Sequence, residues 1–220
     1  MRRSGDGSQE KKRKIDKKLE IVYALPRKTT GDESMDEQIK RTGRNLKYTG
    51  SVLEIYQDHM AFANGNTEDW DFVHHNGAAA VVPVLENGNI LMVRQYRSAL
   101  DRYTWEIPAG KLDTPEESGL VCATRELEEE TGYKSDQLEL LITIRTSVAL
   151  SDERIEIYVA KDLVKTAQHL DENDFVDVKE FTLDELKDMI LKQEIEDSKT
   201  ISALMSYIVK YKYQGWKLEW

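Results

Sequence analysis

Four glutamates stand within five residues in Arg125-Glu126-Leu127-Glu128-Glu129-Glu130, followed by Thr131-Gly132-Tyr133. At about 100° per residue on a helix, Glu126, Glu129 and Glu130 share one side by i, i+3 and i+4 spacing, while Glu128 points elsewhere. Like charges that close repel one another, so the arrangement costs helix stability unless a cation sits among them. Hard carboxylate oxygens suit Mg²⁺ or Mn²⁺, ions usually held by a few carboxylates together with substrate phosphates. Arg125 is placed to pair with a glutamate and fix its rotamer. The plainer alternative for a glutamate run is a solvated acidic face.

The elements that must carry this cluster are legible in outline. A helix starting near Thr114, with Pro115 in its first turn and Glu117 closing a capping box, is expected to run to Gly132, where a left-handed glycine stops it. Leu120, Ala123 and Leu127 form its apolar stripe. Before it, Ala78–Leu85 and Ile90–Tyr96 are apolar runs separated by Glu86-Asn87-Gly88-Asn89, a strong hairpin signal. A short strand at Thr104–Ile107 then leads through Pro108-Ala109 into Gly110. Further upstream, strands are expected at Leu19–Leu25, Ser51–Tyr56, Met60–Ala63 and Trp70–His75, with a polar connection over Arg27–Asn45. Downstream, strands are expected at Leu138–Arg145, Glu153–Ala160 and Val176–Phe181. A helix over Leu183–Lys192 follows, capped by Thr182 and Glu185, and another is opened by Ser198. Three segments result: a disordered basic arm over residues 1–18, a β-rich subdomain over 19–76 and an α/β domain over 77–213.

Composition bounds the function. The 220 residues are 40% hydrophobic and 33% charged, which describes a soluble globular protein long enough for one well-buried domain. No apolar run approaches a membrane span, and the N-terminus lacks the apolar stretch of a secretory signal. The single cysteine, Cys122, excludes an internal disulfide, so a cytoplasmic location is expected. A net charge of −10 argues against nucleic acid as the main partner. Residues 1–20 carry eight Lys/Arg against four Asp/Glu, leaving about −14 on the remainder. His74 and His75, adjacent on a strand, face opposite ways and are assigned no role.

From Gly110 to Tyr133 the chain resembles the Nudix box, G-x5-E-x7-R-E-U-x-E-E-x-G-U with U a bulky apolar residue. Arg125, Glu126, Leu127, Glu129, Glu130 and Gly132 fall on its fixed positions, and Tyr133 on the final bulky one. Counting back from Arg125 reaches Glu117 as the isolated glutamate, with Gly110 one residue early; either the loop holds an extra residue or Glu116 takes that place. Four flanking segments resemble ADP-ribose pyrophosphatases within that family. They are Val93-Arg94-Gln95-Tyr96-Arg97, Trp105-Glu106-Ile107-Pro108-Ala109-Gly110, Ser151-Asp152-Glu153-Arg154 and Asp171-Glu172-Asn173-Asp174.

The resemblance implies an α/β/α sandwich with a mixed sheet, and metal-assisted hydrolysis of ADP-ribose to AMP and ribose 5-phosphate. It implies Glu126, Glu130, Glu129, Asp174 and the Ala109 carbonyl as ligands of Mg²⁺ or Mn²⁺. Glu172 is the implied base with Glu153 as its competitor, and Glu129 and Arg125 assist in catalysis. Arg97, Glu106, Trp70 and Glu153 are implied to meet substrate: Arg97 by gripping phosphate and Trp70 by stacking on adenine. Homodimers with exchanged N-terminal strands are typical of such enzymes. A pyrophosphatase for a GDP- or UDP-linked hexose would use the same box, and a non-catalytic ligand-sensing module is the reading from a different class.

Overall fold

In a computed structural model, residues 38–170 and 175–212 are described. The expected strand at Leu19–Leu25, the basic arm, and Glu172 and Asp174 lie outside them.

Three antiparallel strands come first: β1 (Ile39–Thr49), β2 (Leu53–Phe62) and β3 (Thr67–His75), in the order β1-β2-β3. The Asn64-Gly65-Asn66 turn joins β2 to β3, with Gly65 at φ 87 and the Asn64 side chain accepting from Asn66 N–H. β1 replaces the expected polar connection. Its residues are nearly all exposed, so no apolar alternation announced it; Arg44 instead holds it to β2 through two bonds to the buried Asp58 carboxylate, at 2.5 and 2.6 Å. Arg44 also stacks on Phe72 of β3, 3.9 Å from the ring centre.

The remaining described residues build two larger sheets, a short ribbon and three helices. β4 (Ala78–Pro83), β7 (Ala109–Lys111), β9 (Gln137–Arg145) and β10 (Arg154–Lys161) form a mixed sheet ordered β7-β4-β10-β9, in which β10 and β4 are parallel. β5 (Ile90–Arg97), β6 (Arg102–Glu106) and β12 (Asp177–Phe181) form the second, ordered β12-β5-β6, while β8 (Tyr133–Lys134) and β11 (Val164–Lys165) pair as a short ribbon. The helices are α1 (Gly119–Thr131), α2 (Leu183–Leu191) and α3 (Ser198–Tyr207), the last running into a π-helical turn over Ile208–Lys212.

Period-two alternation divides the interior. Ala79 and Val81 of β4, with Tyr158 and Ala160 of β10, meet Cys122, Ala123 and Leu127 of α1. The intervening residues Ala80, Val82, Ile155, Ile157 and Val159 face Ile90, Met92, Phe181, Leu186, Ala203 and Leu204 from the second sheet, α2 and α3. Helices therefore cover both sides, as the expected sandwich requires.

Three local expectations are corrected. The turn at Glu86–Asn89 forms, with Gly88 at φ 83, but β4 and β5 share only the Val84–Ile90 bridge and go to different sheets. Buried side chains on both strands favoured separate partners over a hairpin. Helix α1 begins at Gly119 rather than Thr114, capped by Ser118, because Thr114 and Glu117 close a turn of their own: Glu117 N–H donates to the Thr114 carbonyl, 3.1 Å. Leu120 is thereby left 46% exposed, and Cys122 takes its place in the stripe. Asp197, not Ser198, caps α3, while the Thr182–Glu185 capping box of α2 forms as read.

Candidate active site

The segment Pro108-Ala109-Gly110, whose last two residues open β7, lies against the side of α1 that carries the glutamates. Pro108 is fixed by its carbonyl, which accepts from Val81 N–H at 2.9 Å, and Ala109 and Gly110 are paired with Ala80 and Ala79 in β4. A Cβ at Gly110 would overlap the Glu126 carboxylate, so only glycine leaves room for it. The Ala109 N–H donates to the Glu130 carboxylate at 2.9 Å. Glu126 and Glu130 are 9% and 8% exposed, unusual for acids without an aliphatic role.

Burial is the largest influence on both. It pushes Glu130 up to about 8 despite the Ala109 N–H, and it raises Glu126 against the opposing pull of Arg125. Arg125 donates to Glu126 at 2.6 Å and to Glu129 at 3.0 Å, and lies 3.5 Å from both Asp113 and Glu117. Its buried Nε makes no hydrogen bond, so the guanidinium is held by charge on that edge. Of the two candidates for the isolated glutamate, Glu117 is the one near the Arg125 guanidinium, and Glu116 is exposed.

These donors fit a hard divalent cation. Burial disfavours the ionised form of both acids, and a divalent cation beside them would restore it. Among the described residues no three acids or imidazoles already converge on one point.

Beside that segment opens a cleft of about 340 Å³, lined by residues including His75, Arg97, Ala109, Gly110, Lys111, Thr146, Glu153 and Lys199. Arg97 sits at its wall, donating through two nitrogens to Glu106 at 2.7 and 2.6 Å. Glu106 is 3% exposed; it lies beneath Arg97 and is not among the residues lining the cleft. Burial would raise its pKa, yet Arg97, Lys199 and the Thr104 hydroxyl hold it at about 2. Glu153 accepts from Thr146 at 2.5 Å and lies 3.7 Å from His75 Nδ1. That nitrogen also accepts from Gly77 N–H at 3.0 Å, which puts the proton of a neutral ring on Nε2.

Trp70 does not join this group. It is 43% exposed, edge-on to Phe62, and five residues from His75 along β3, roughly 16 Å at strand rise. Sequence reasoning passed over His75 and Lys199. Lys199 carried a signal: a cation in the first turn of α3 opposes the helix dipole and so needs another reason to be there.

An α/β sandwich whose acidic helix faces Gly110 and a cationic cleft defines a hydrolase of phosphoanhydrides. The chain belongs to the NUDIX domain family, which matches residues 74–204, and it is a Nudix hydrolase. Relatives include the methanol dehydrogenase activator of Bacillus methanolicus, 45% identical over 71% of this chain and 85% of that one. The ADP-ribose pyrophosphatase of Bacillus subtilis is 35% identical over 84% of this chain and 100% of its own length. Among solved structures, an ADP compounds hydrolase superposes with a TM-score of 0.71 at 21% identity, covering 81% of this chain and 96% of that chain, a likeness of fold. Nudix hydrolases use divalent cations. No described helix is long and apolar enough to cross a membrane.

Two outcomes are expected. Gly110→Ala displaces the Glu126 carboxylate and lowers turnover at saturating Mg²⁺ by about 100-fold, since a shift near 1 Å costs that much, with circular dichroism unchanged. Glu106→Gln loses stability on the order of 3 kcal/mol at pH 7, measured by urea unfolding. Because the folded pKa of Glu106 is depressed from 4.5 to about 2, that contribution is present above pH 4.5 and disappears as the pH falls through 2.

Proposed function

We propose that the protein hydrolyses ADP-ribose with water to AMP and ribose 5-phosphate, using Mg²⁺ or Mn²⁺. The observation that carries the reading is the pair of buried carboxylates of α1, Glu126 and Glu130, set against Ala109 and Gly110 of β7 next to a cleft walled by Arg97. The full-length similarity to an ADP-ribose pyrophosphatase supports the choice of substrate.

In this reading Glu126, Glu130 and the Ala109 carbonyl hold the cation, with Glu129 and Asp174 as further ligands. A cation held there would supply neutralisation of the diphosphate charge and a more acidic water as nucleophile. Arg125 keeps Glu126 and Glu129 in place by charge-assisted bonds, so ligand geometry is set before substrate arrives. Arg97, anchored by Glu106, offers its remaining N–H groups to diphosphate oxygens. Glu172 accepts the proton of the attacking water, with Glu153 on the cleft wall as the competing base. Trp70 stacks on adenine across a homodimer interface, since along its own strand it stands too far from the cleft. The lone buried thiol fits a reducing cytoplasm.

The 45% identity to a protein named for activating methanol dehydrogenase favours a second reading, in which a dehydrogenase is the partner that feels this activity. Adding the protein to a methanol dehydrogenase and following alcohol oxidation tests it directly.

Incubating the pure protein with Mg²⁺ and a panel of ADP-ribose, NADH, diadenosine polyphosphates, GDP-hexose and UDP-hexose is expected to release AMP fastest from ADP-ribose. Glu130→Gln should reduce that rate by at least 100-fold; equal AMP from both proteins removes the proposal. Sedimentation at micromolar concentration is expected to give a dimer, and a monomer there would place Trp70 outside the site.

A further inference from the structure

Four charges alternate in sign along the cleft wall, Glu106 lying beneath its lining. Arg97 of β5 donates twice to Glu106 of β6, Lys199 of α3 bonds the Glu106 Oε2, and Asp197 accepts from the same ammonium at 2.9 Å. Glu106 and Lys199 are 3% and 8% exposed, so solvent does little to screen them. Lys199 stands in the first turn of a helix, where a cation is disfavoured, and Asp197 is simultaneously that helix's cap through Thr200 N–H at 3.0 Å. The same turn is bonded to the residues leading into Ala109-Gly110, since Ile107 N–H donates to the Thr200 hydroxyl at 3.0 Å. A buried cation in that place is costly unless it does something for its neighbours.

Resting on the reading above, we infer that Lys199 is a positioning residue which sets how much of the Arg97 charge is left for a diphosphate. With Lys199 present, the Glu106 carboxylate divides between two cations and Arg97 keeps net positive potential toward the cleft. Without it, Glu106 is neutralised by Arg97 alone, and the guanidinium is drawn fully into that pair. The effect passes through Glu106, so Lys199 need not touch substrate.

The test compares Lys199→Met, Lys199→Arg, Glu106→Gln and the Lys199→Met/Glu106→Gln double variant. Each is measured by steady-state ADP-ribose hydrolysis and by calorimetric titration with magnesium pyrophosphate. Lys199→Met is expected to raise KM and weaken pyrophosphate binding by roughly tenfold, the usual scale for one charge-assisted contact, with kcat changed less than twofold. Lys199→Arg should restore most of the loss. In the Glu106→Gln background, where no carboxylate competes for Arg97, Lys199→Met should change neither quantity. Independent, additive losses in the double variant overturn the inference, because they mean that Lys199 meets the anion directly. A parallel fall of kcat and melting temperature without a KM change also overturns it. Should the wild type hydrolyse nothing in the panel, the substrate assignment fails while the pyrophosphate titration still decides this point; no pyrophosphate binding by the wild type overturns it.

Discussion

Burying two like-charged carboxylates against a strand backbone is the demand around which the rest of the molecule is arranged. Glu126 and Glu130 gain one backbone N–H and one guanidinium between them, which does not offset the loss of water. The remaining cost is met by a proton, which is why burial pushes Glu130 up to about 8. Two neighbouring residues fit that demand: glycine at 110 leaves space for the Glu126 carboxylate, and Arg125 bridges Glu126 and Glu129 through one nitrogen. In the proposed reading a divalent cation would take the place of that proton.

The two cores give these carboxylates a rigid frame. Residues of β4 alternate between the α1 side and the α2/α3 side, so the strand that pairs with Gly110 is packed from both directions. The cleft draws its walls from different layers: Arg97 from the second sheet, Glu153 from the loop before β10, and Lys199 from α3. Its shape thus depends on how the layers dock and not on one loop.

Much of this could be read in the chain. Element type was legible wherever apolar period was strong, as in β5, β10, α1 and α2, and the box residues were legible because their spacing is fixed by chemistry. What escaped did so for physical reasons. β1 is exposed on nearly every residue and is held by the Arg44–Asp58 pair across strands, a contact that leaves no periodic trace. The Asn87-Gly88 turn was seen, but pairing partners of β4 and β5 are chosen by long-range burial. Thr114 and Glu117 had the composition of a helix cap, and a turn ahead of the helix uses the same hydrogen bonds. Glu106 read as a substrate contact because motif spacing does not say which acid is covered by its neighbour; its place beneath Arg97 makes it an anchor. Lys199 was overlooked since its partner is 93 residues away.

The last carbonyls of α1 do not face water. Gly132 N–H, His169 N–H and the Gln168 side-chain amide take the carbonyls of Glu128, Glu129 and Glu130, and the same amide reaches the Val176 carbonyl at 3.3 Å. Residues 168 and 176 are thus pinned to one helix end, on either side of the acidic segment 171–174. One amide thereby couples the end of the helix to the residue ahead of β12, so replacing Gln168 by alanine would loosen a layer of helix and an edge of sheet together.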